Sequence, residues 1–230
     1  YAGITYRAQG DLVNALETLG WAARAMEFRS AAYAQMAGIE LQLHNLPMAE
    51  HYAKQSLDFN RFNFNALQVL AIKYRLSGEI ESADRTIETI MALDPLDHFV
   101  GFGRFRLHTT PENLSLFKSG IKNEFQYQTY LELAIGYFNL GLTNDALAVL
   151  QNAPQHPLVS LWKAYLQSDP SRLNEVIEQS PAFVFPYRNE TVSALEWAVS
   201  KSSSWKFKYY LALNYWAIDR ISEAISLFQA

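Results

Sequence analysis

An all-α array of antiparallel helical hairpins is predicted by three features of the 230-residue chain. Its apolar patterns have helical period, no run alternates strictly as a half-buried strand would, and one alanine recurs at a fixed interval. Ala15, Ala49 and Ala83 lie 34 residues apart, each behind a turn and a polar residue and ahead of further apolar positions. Those segments run from Gly10-Asp11 to Leu19, from Asn45-Leu46 to Leu57 and from Gly78-Glu79 to Leu93. About 13 to 15 helices and no sheet are expected.

The elements follow in order. Tyr1 to Gln9 reads as a helix that opens a regular region reaching residue 95. Its best pair carries Leu67, Leu70, Ala71 and Tyr74, then Gly78, Ala83 and Pro95. The first four fall on one helix face, Gly78 suits a left-handed helix end, and Ala83 lets the second helix approach the first closely. A degenerate pair over 96–120 follows, Leu96 to Leu107 and Pro111 to Lys118, with Thr110 as N-cap and Pro111 at the first helical position. Residues 124–153 restore the pattern as Tyr130, Leu133, Ala134, Tyr137, Gly141, Ala146 and Leu150. A second degenerate pair over 156–180 comprises Leu158 to Gln167 and Pro170 to Gln179, with Asp169 as cap. Within 181–202 the Pro-interrupted, aromatic end of the Ser180 to Asn189 stretch reads as an irregular loop, before one additional helix at Thr191 to Val199. The pattern closes over 204–230 with Leu211, Ala212, Tyr215, Ala224 and Phe228.

These sets resemble the signature of the tetratricopeptide repeat. The resemblance implies a right-handed α-α superhelix, one solenoid over 1–230, that holds another protein segment without catalysis. There are departures. Glu40 stands where the family has Tyr, His44 and Asp219 replace the turn glycine, and the spacing from Ala83 to Ala146 to Ala224 is not a multiple of the period. Three stretches, Asp94 to Asp97, Gln128 to Ala134 and Phe185 to Thr191, are similar to segments of large bacterial proteins in which such repeats follow a β-rich domain of unknown function. That likeness implies a multidomain parent of which the chain is a fragment.

Composition bounds the chemistry. With a formal net charge of −4 the chain has no general positive field for nucleic acid or an anionic membrane. The absence of cysteine excludes disulfides and thiolate chemistry and fits a reducing, cytoplasmic setting. No stretch approaches the roughly 18 to 20 apolar residues a membrane-spanning helix needs. The five histidines are scattered, Gly101-Phe102-Gly103 is only half of a phosphate-cradling motif, and Glu79, Glu81, Asp84 and Glu88 suit the acidic start of a helix. Lys201 to Tyr210 interleaves lysines with aromatics, which a helix with lysine stems beside an aromatic core face explains. No metal, no cofactor and no catalytic residue is expected.

In a superhelix of such repeats the groove is lined by the first-helix face beside the packing face, at i, i+3, i+7 and i+10. That spacing selects Ala31, Ala34, Gly38 and Leu41; Asn65, Gln68, Ile72 and Arg75; Gln128, Leu131, Ile135 and Phe138; and Lys206, Tyr209, Leu213 and Trp216. Amides can bond a peptide backbone while aromatics hold its side chains, so Asn65, Gln68, Arg75, Gln128, Tyr209 and Trp216 are the candidate protein-binding residues. Packing against neighbouring helices, or against a domain in cis, is the alternative for the same faces. Some relatives grip a C-terminal carboxylate with Lys, Asn and Arg on successive helices; the small residues at 31, 34 and 38 argue against such a clamp. Phe183, Phe185, Pro186, Tyr187 and Arg188 are expected to fold back as an apolar plug, with Phe185, Tyr187 and Arg188 as a possible second surface.

Overall fold

The computed structural model describes residues 1–229. Fifteen α-helices and one 3-10 turn are formed among them, and no strand. They are α1 (Ala2–Ala8), α2 (Leu12–Ala22), α3 (Met26–Gln42), α4 (Leu46–Phe59), α5 (Phe64–Leu76), α6 (Ile80–Leu93), α7 (His98–Leu107) and α8 (Pro111–Gly120). Then follow α9 (Gln126–Asn139), α10 (Thr143–Gln151), α11 (Pro157–Leu166), the 3-10 turn Pro170–Arg172, α12 (Leu173–Glu178), α13 (Thr191–Lys201), α14 (Trp205–Ala217) and α15 (Ile221–Phe228). Helices adjacent in sequence pack on one another, in unbroken succession from α1 to α8, and α13 stands alone before the α14–α15 hairpin.

One backbone device makes six of the hairpin turns. After α3, the His44 N–H donates to the Leu41 carbonyl (3.0 Å) and the Asn45 N–H to the Glu40 carbonyl (2.8 Å), the doubled closure of a helix ending in a left-handed residue. The same pair of bonds recurs at Gly10-Asp11, Gly78-Glu79, Gly141-Leu142, Ser168-Asp169 and Asp219-Arg220. The first residue of each pair has φ between 51° and 79°. His44 and Asp219 thus occupy the glycine position in the backbone although the side chain differs. Five residues beyond each left-handed residue stands the inward position of the second helix: Ala15, Ala49, Ala83 and Ala146 at 0% exposure, Ala224 and Leu173 at 2%. The turn therefore sets the rotation of the second helix, and a small residue there lets the pair close. Where Glu40 replaces Tyr, its buried carboxylate accepts from the Asn45 amide at 2.9 Å.

Side-chain caps fix five helix or turn starts. Asp11, Asn63, Asp97, Thr110 and Asp169 each accept a backbone N–H two or three residues on, so Thr110 and Asp169 act as the sequence predicts. The second degenerate pair differs from expectation in its second member. Pro170 to Gln179 divides into the 3-10 turn and the short α12, because Ser171 is drawn back onto the Asp169 carboxylate by both its N–H and its hydroxyl.

The chain divides into two compact units. The first comprises residues 1–123 with 136–142, and the second 124–135 with 143–230. In the first unit, Ala15, Leu19, Met36 and Ile39 form one apolar cluster and Leu67, Ala71, Ile87, Ile90 and Val100 another. Phe102, fully buried, meets Phe117 at 5.2 Å and Tyr137 at 5.7 Å between ring centroids. In the second unit the largest buried side chains are Trp162, Phe207 and Tyr210.

Candidate protein-binding surface

In the first unit the cap at Asn63 sets the rotation of α5, and with it the shared face of Asn65, Gln68, Ile72 and Arg75. Asn65 is exposed, Gln68 and Arg75 are half-buried, and Ile72 is buried. The corresponding face of α3 is largely covered: Ala31 is exposed, while Ala34, Gly38 and Leu41 are buried. Arg7 lies over it. A Cβ added to Gly38 would come within 3.0 Å of the Arg7 guanidinium, which donates to Gln35 Oε1 at 2.7 Å and to the Asn139 carbonyl at 3.4 Å. Burial pulls the Arg7 guanidinium below its ordinary value. The end of α9 closes in from the same direction, since a Cβ on Gly141 would stand 3.0 Å from the Gln42 carbonyl oxygen. The small residues at 34 and 38 are thus spent on packing within the chain.

A charged clasp joins α4 and α5 to the residue that precedes α6. Lys73 Nζ reaches Glu50 and Glu79 at 2.5 Å each, and Glu50 also meets Lys54 at 2.7 Å. Desolvation works against the Lys73 ammonium, but its bonds to the two carboxylates outweigh it and hold it above its ordinary value. Such a group stays charged and serves as a brace. A shallow cleft of about 210 Å³ lies between α5 and α6, lined by Leu67, Leu70, Tyr74, Ser82, Arg85, Thr86 and Thr89. Thr86 and Thr89 donate their hydroxyls to the carbonyls of Ser82 and Arg85, so those hydroxyl protons are committed within α6.

In the second unit, Gln128 is half-buried and Leu131 and Ile135 are buried. On α14, Lys206, Tyr209 and Leu213 are half-buried, and Trp216 is 61% exposed. Tyr209 lies between Trp205 (5.9 Å) and Phe228 (6.2 Å), which leaves an aromatic surface on the last hairpin. The irregular segment 180–189 folds back as expected through Pro186, but with Val184 beside it in place of the aromatics. Val184 and Pro186 are buried, whereas Phe183, Phe185 and Tyr187 are 86%, 60% and 49% exposed. Phe183 stands in the turn before Val184 with a left-handed φ, Phe185 and Tyr187 flank the buried Pro186, and the phenylalanine plug is corrected to a Val184–Pro186 anchor.

Polar side chains tie this segment down. Lys206 Nζ donates to the Gln179 carbonyl at 2.5 Å and to the Ile177 carbonyl, and Asn214 Nδ2 donates to the Arg188 carbonyl at 3.1 Å. Tyr187 Oη and Arg188 Nη2 both donate to Gln128 Oε1 at 3.3 Å, and Arg188 faces Glu132 at 3.8 Å. The two sets of residues selected from the sequence, one on a groove face and one in a loop, therefore meet at Gln128. Four buried polar atoms here find no hydrogen-bond partner: Gln179 Oε1, Arg188 Nε, Tyr210 Oη and Asn214 Oδ1. Burial pushes the Tyr210 hydroxyl up to about 12, so it stays protonated. Sequence reasoning missed Tyr210 and Asn214, which stand one and two turns after Lys206 on α14. A polar residue at that spacing inside an aromatic helix is the signal that could have found them.

The six candidate residues thus divide between the units: Asn65, Gln68 and Arg75 lie in the first, and Gln128, Tyr209 and Trp216 in the second. No cluster of three or more His, Asp or Glu able to hold a metal occurs among the described residues, and none of their helices is long and apolar enough to cross a membrane. Gly101 and Gly103 lie within α7, where Gly101 backs onto Phe117. Glu81, Asp84 and Glu88 lie on α6, and Asp84 is bound by His108 at 2.9 Å.

No family model matches the chain, and no curated protein matches it. Among solved structures, a tetratricopeptide repeat protein from Parabacteroides merdae ATCC 43184 is similar over 99% of this chain and 88% of that chain, at 17% identity and a TM-score of 0.46.

Proposed function

We propose that the chain is a non-catalytic scaffold whose first-helix faces contact an extended polypeptide, either a separate partner or a neighbouring segment of a longer parent. The observation that carries this reading is the chemistry left on those faces after folding. Asn65 and Trp216 remain exposed, and Gln68, Arg75, Gln128 and Tyr209 remain half-buried. Faces that served solvation alone would carry Lys and Glu; amides and aromatics are types suited to meeting another protein. Packing in cis against a further domain is the second reading. It is favoured by the covered α3 face, where Ala34, Gly38 and Leu41 already lie beneath the chain's own residues.

A peptide array probed with wild type and with the Asn65→Ala, Gln68→Ala, Trp216→Ala variant tests the proposal, with helicity checked by circular dichroism. Wild type is expected to retain peptides that the folded variant loses, with at least tenfold weaker binding. Equal retention of every peptide by a folded variant would remove these faces from the interaction.

A further inference from the structure

The irregular segment of the second unit sits where the proposed function places a ligand, and it is bound as a ligand would be. Gln128, selected from the sequence as a groove position, accepts from Tyr187 and Arg188 of the segment, and Lys206, selected likewise, holds the Gln179 carbonyl immediately before it. Its ties to the surrounding helices run through side chains. Asn214 donates to the Arg188 carbonyl at its far end and Lys206 to the Gln179 carbonyl immediately before its start, while the backbone–backbone bonds of the segment are local turns, Val184 to Pro181 at 3.4 Å and Thr191 to Arg188 at 3.1 Å. Donors that read only carbonyls accept any extended polypeptide in the same pose. Between those ends the hold is slight, since Val184 and Pro186 alone are buried in the stretch from Ala182 to Tyr187.

Three features show that the fit is incomplete. Phe183 takes a left-handed φ of 60°, a conformation that crowds any residue with a Cβ. Phe183, Phe185 and Tyr187 stay largely in solvent. Tyr210 Oη and Asn214 Oδ1, on fully buried residues of α14, have no partner within hydrogen-bond distance, and an orphaned buried polar group is unfavourable. A segment optimised only to complete the core would hide its aromatics and satisfy those groups.

We infer that residues 180–189 form a cis-acting strap that occupies a peptide site between α9 and α14, and that an extended partner binds there by displacing it. The inference rests on the proposed scaffold function. The partner it calls for is a polypeptide offering a main-chain carbonyl to Asn214, with two apolar side chains two residues apart in place of Val184 and Pro186. It also offers a hydrogen-bonding side chain to Tyr210.

The strap supplies its own probe. A fluorescent synthetic peptide of residues 180–190 is titrated into wild type and into a variant whose residues 182–187 are replaced by Gly and Ser, with anisotropy as the readout. A second variant, Val184→Ser with Pro186→Ser, weakens the anchor and leaves the helices untouched. The peptide is expected to bind one or both variants at least tenfold more tightly than wild type, and Asn214→Ala in the same background is expected to reverse that gain. Absence of binding to folded variants would overturn the strap. So would failure of both variants to fold, because a segment that cannot leave without unfolding the unit is not displaceable. Either outcome leaves the array test on Asn65 and Trp216 standing, so the two readings fail separately.

Discussion

At the scale of single residues, His156 shows what the sequence conceals. It reads there as one of five scattered histidines. In the fold it is the N-cap of α11, its Nδ1 accepting the Leu158 N–H at 3.2 Å while its ring stacks on Tyr127 at 3.6 Å. Burial pulls its pKa from 6.5 down to about 4. A neutral ring is what the cap needs, since a protonated Nδ1 can no longer accept. The unfolded chain binds this proton at higher pH than the folded one, so the contribution is intact above about 6.5 and is lost as pH falls toward about 4. Urea midpoints measured at pH 7 and pH 4.5 are expected to differ more for wild type than for His156→Asn, which keeps an acceptor without the titration. An identical difference in both proteins would show that the cap does not titrate. The buried alanines, by contrast, were legible from spacing alone, because a helix pair that must close admits few residue types at one position.

At the scale of elements, the turns from the first to the second helix of a hairpin were legible wherever glycine marked them and illegible where it did not. Gly78 and Gly141 announce a left-handed end; His44, Ser168 and Asp219 adopt the same conformation without announcing it. The backbone closure tolerates the substitution at a cost, so the pattern survives in geometry after it has faded in sequence. The two glycines are themselves unequal. A Cβ at Gly78 would meet nothing within 4 Å, whereas at Gly141 it would stand 3.0 Å from the Gln42 oxygen and 3.1 Å from its Cα. Gly78→Ala therefore carries only the conformational penalty, roughly 1 to 2 kcal/mol. Gly141→Ala adds a collision with main chain that cannot rotate away. Thermal denaturation is expected to show the larger loss for Gly141→Ala. Equal losses would mean that the ends of α3 and α9 separate freely.

At the scale of the whole molecule, the sequence pattern describes one repeating array, whereas the contacts divide the chain into two units that share a helix. Periodicity reports which faces of neighbouring helices meet and is silent about contacts between helices far apart in sequence. The sharing falls within α9. Its first residues belong to the second unit, and Gly136 to Leu142 belong to the first. There Tyr137, buried at 2% exposure, stacks on Phe99 at 5.4 Å and meets the edge of Phe102, and Gly141 abuts Gln42. A repeat count from sequence would cut the chain between residues 123 and 124, at the end of a hairpin, and would deprive the first unit of these contacts. A fragment of residues 1–142 is therefore expected to melt cooperatively, and one of residues 1–123 to melt several degrees lower and to bind more of a hydrophobic dye. The reason is that Phe102, fully buried in the intact chain, would lose its Tyr137 neighbour. Removing a large aromatic neighbour from a core costs about 3 to 5 kcal/mol, far above the resolution of a melting curve. Coincident melting of the two fragments would show that the end of α9 adds nothing to the first unit, and that the boundary read from the repeats is the physical one.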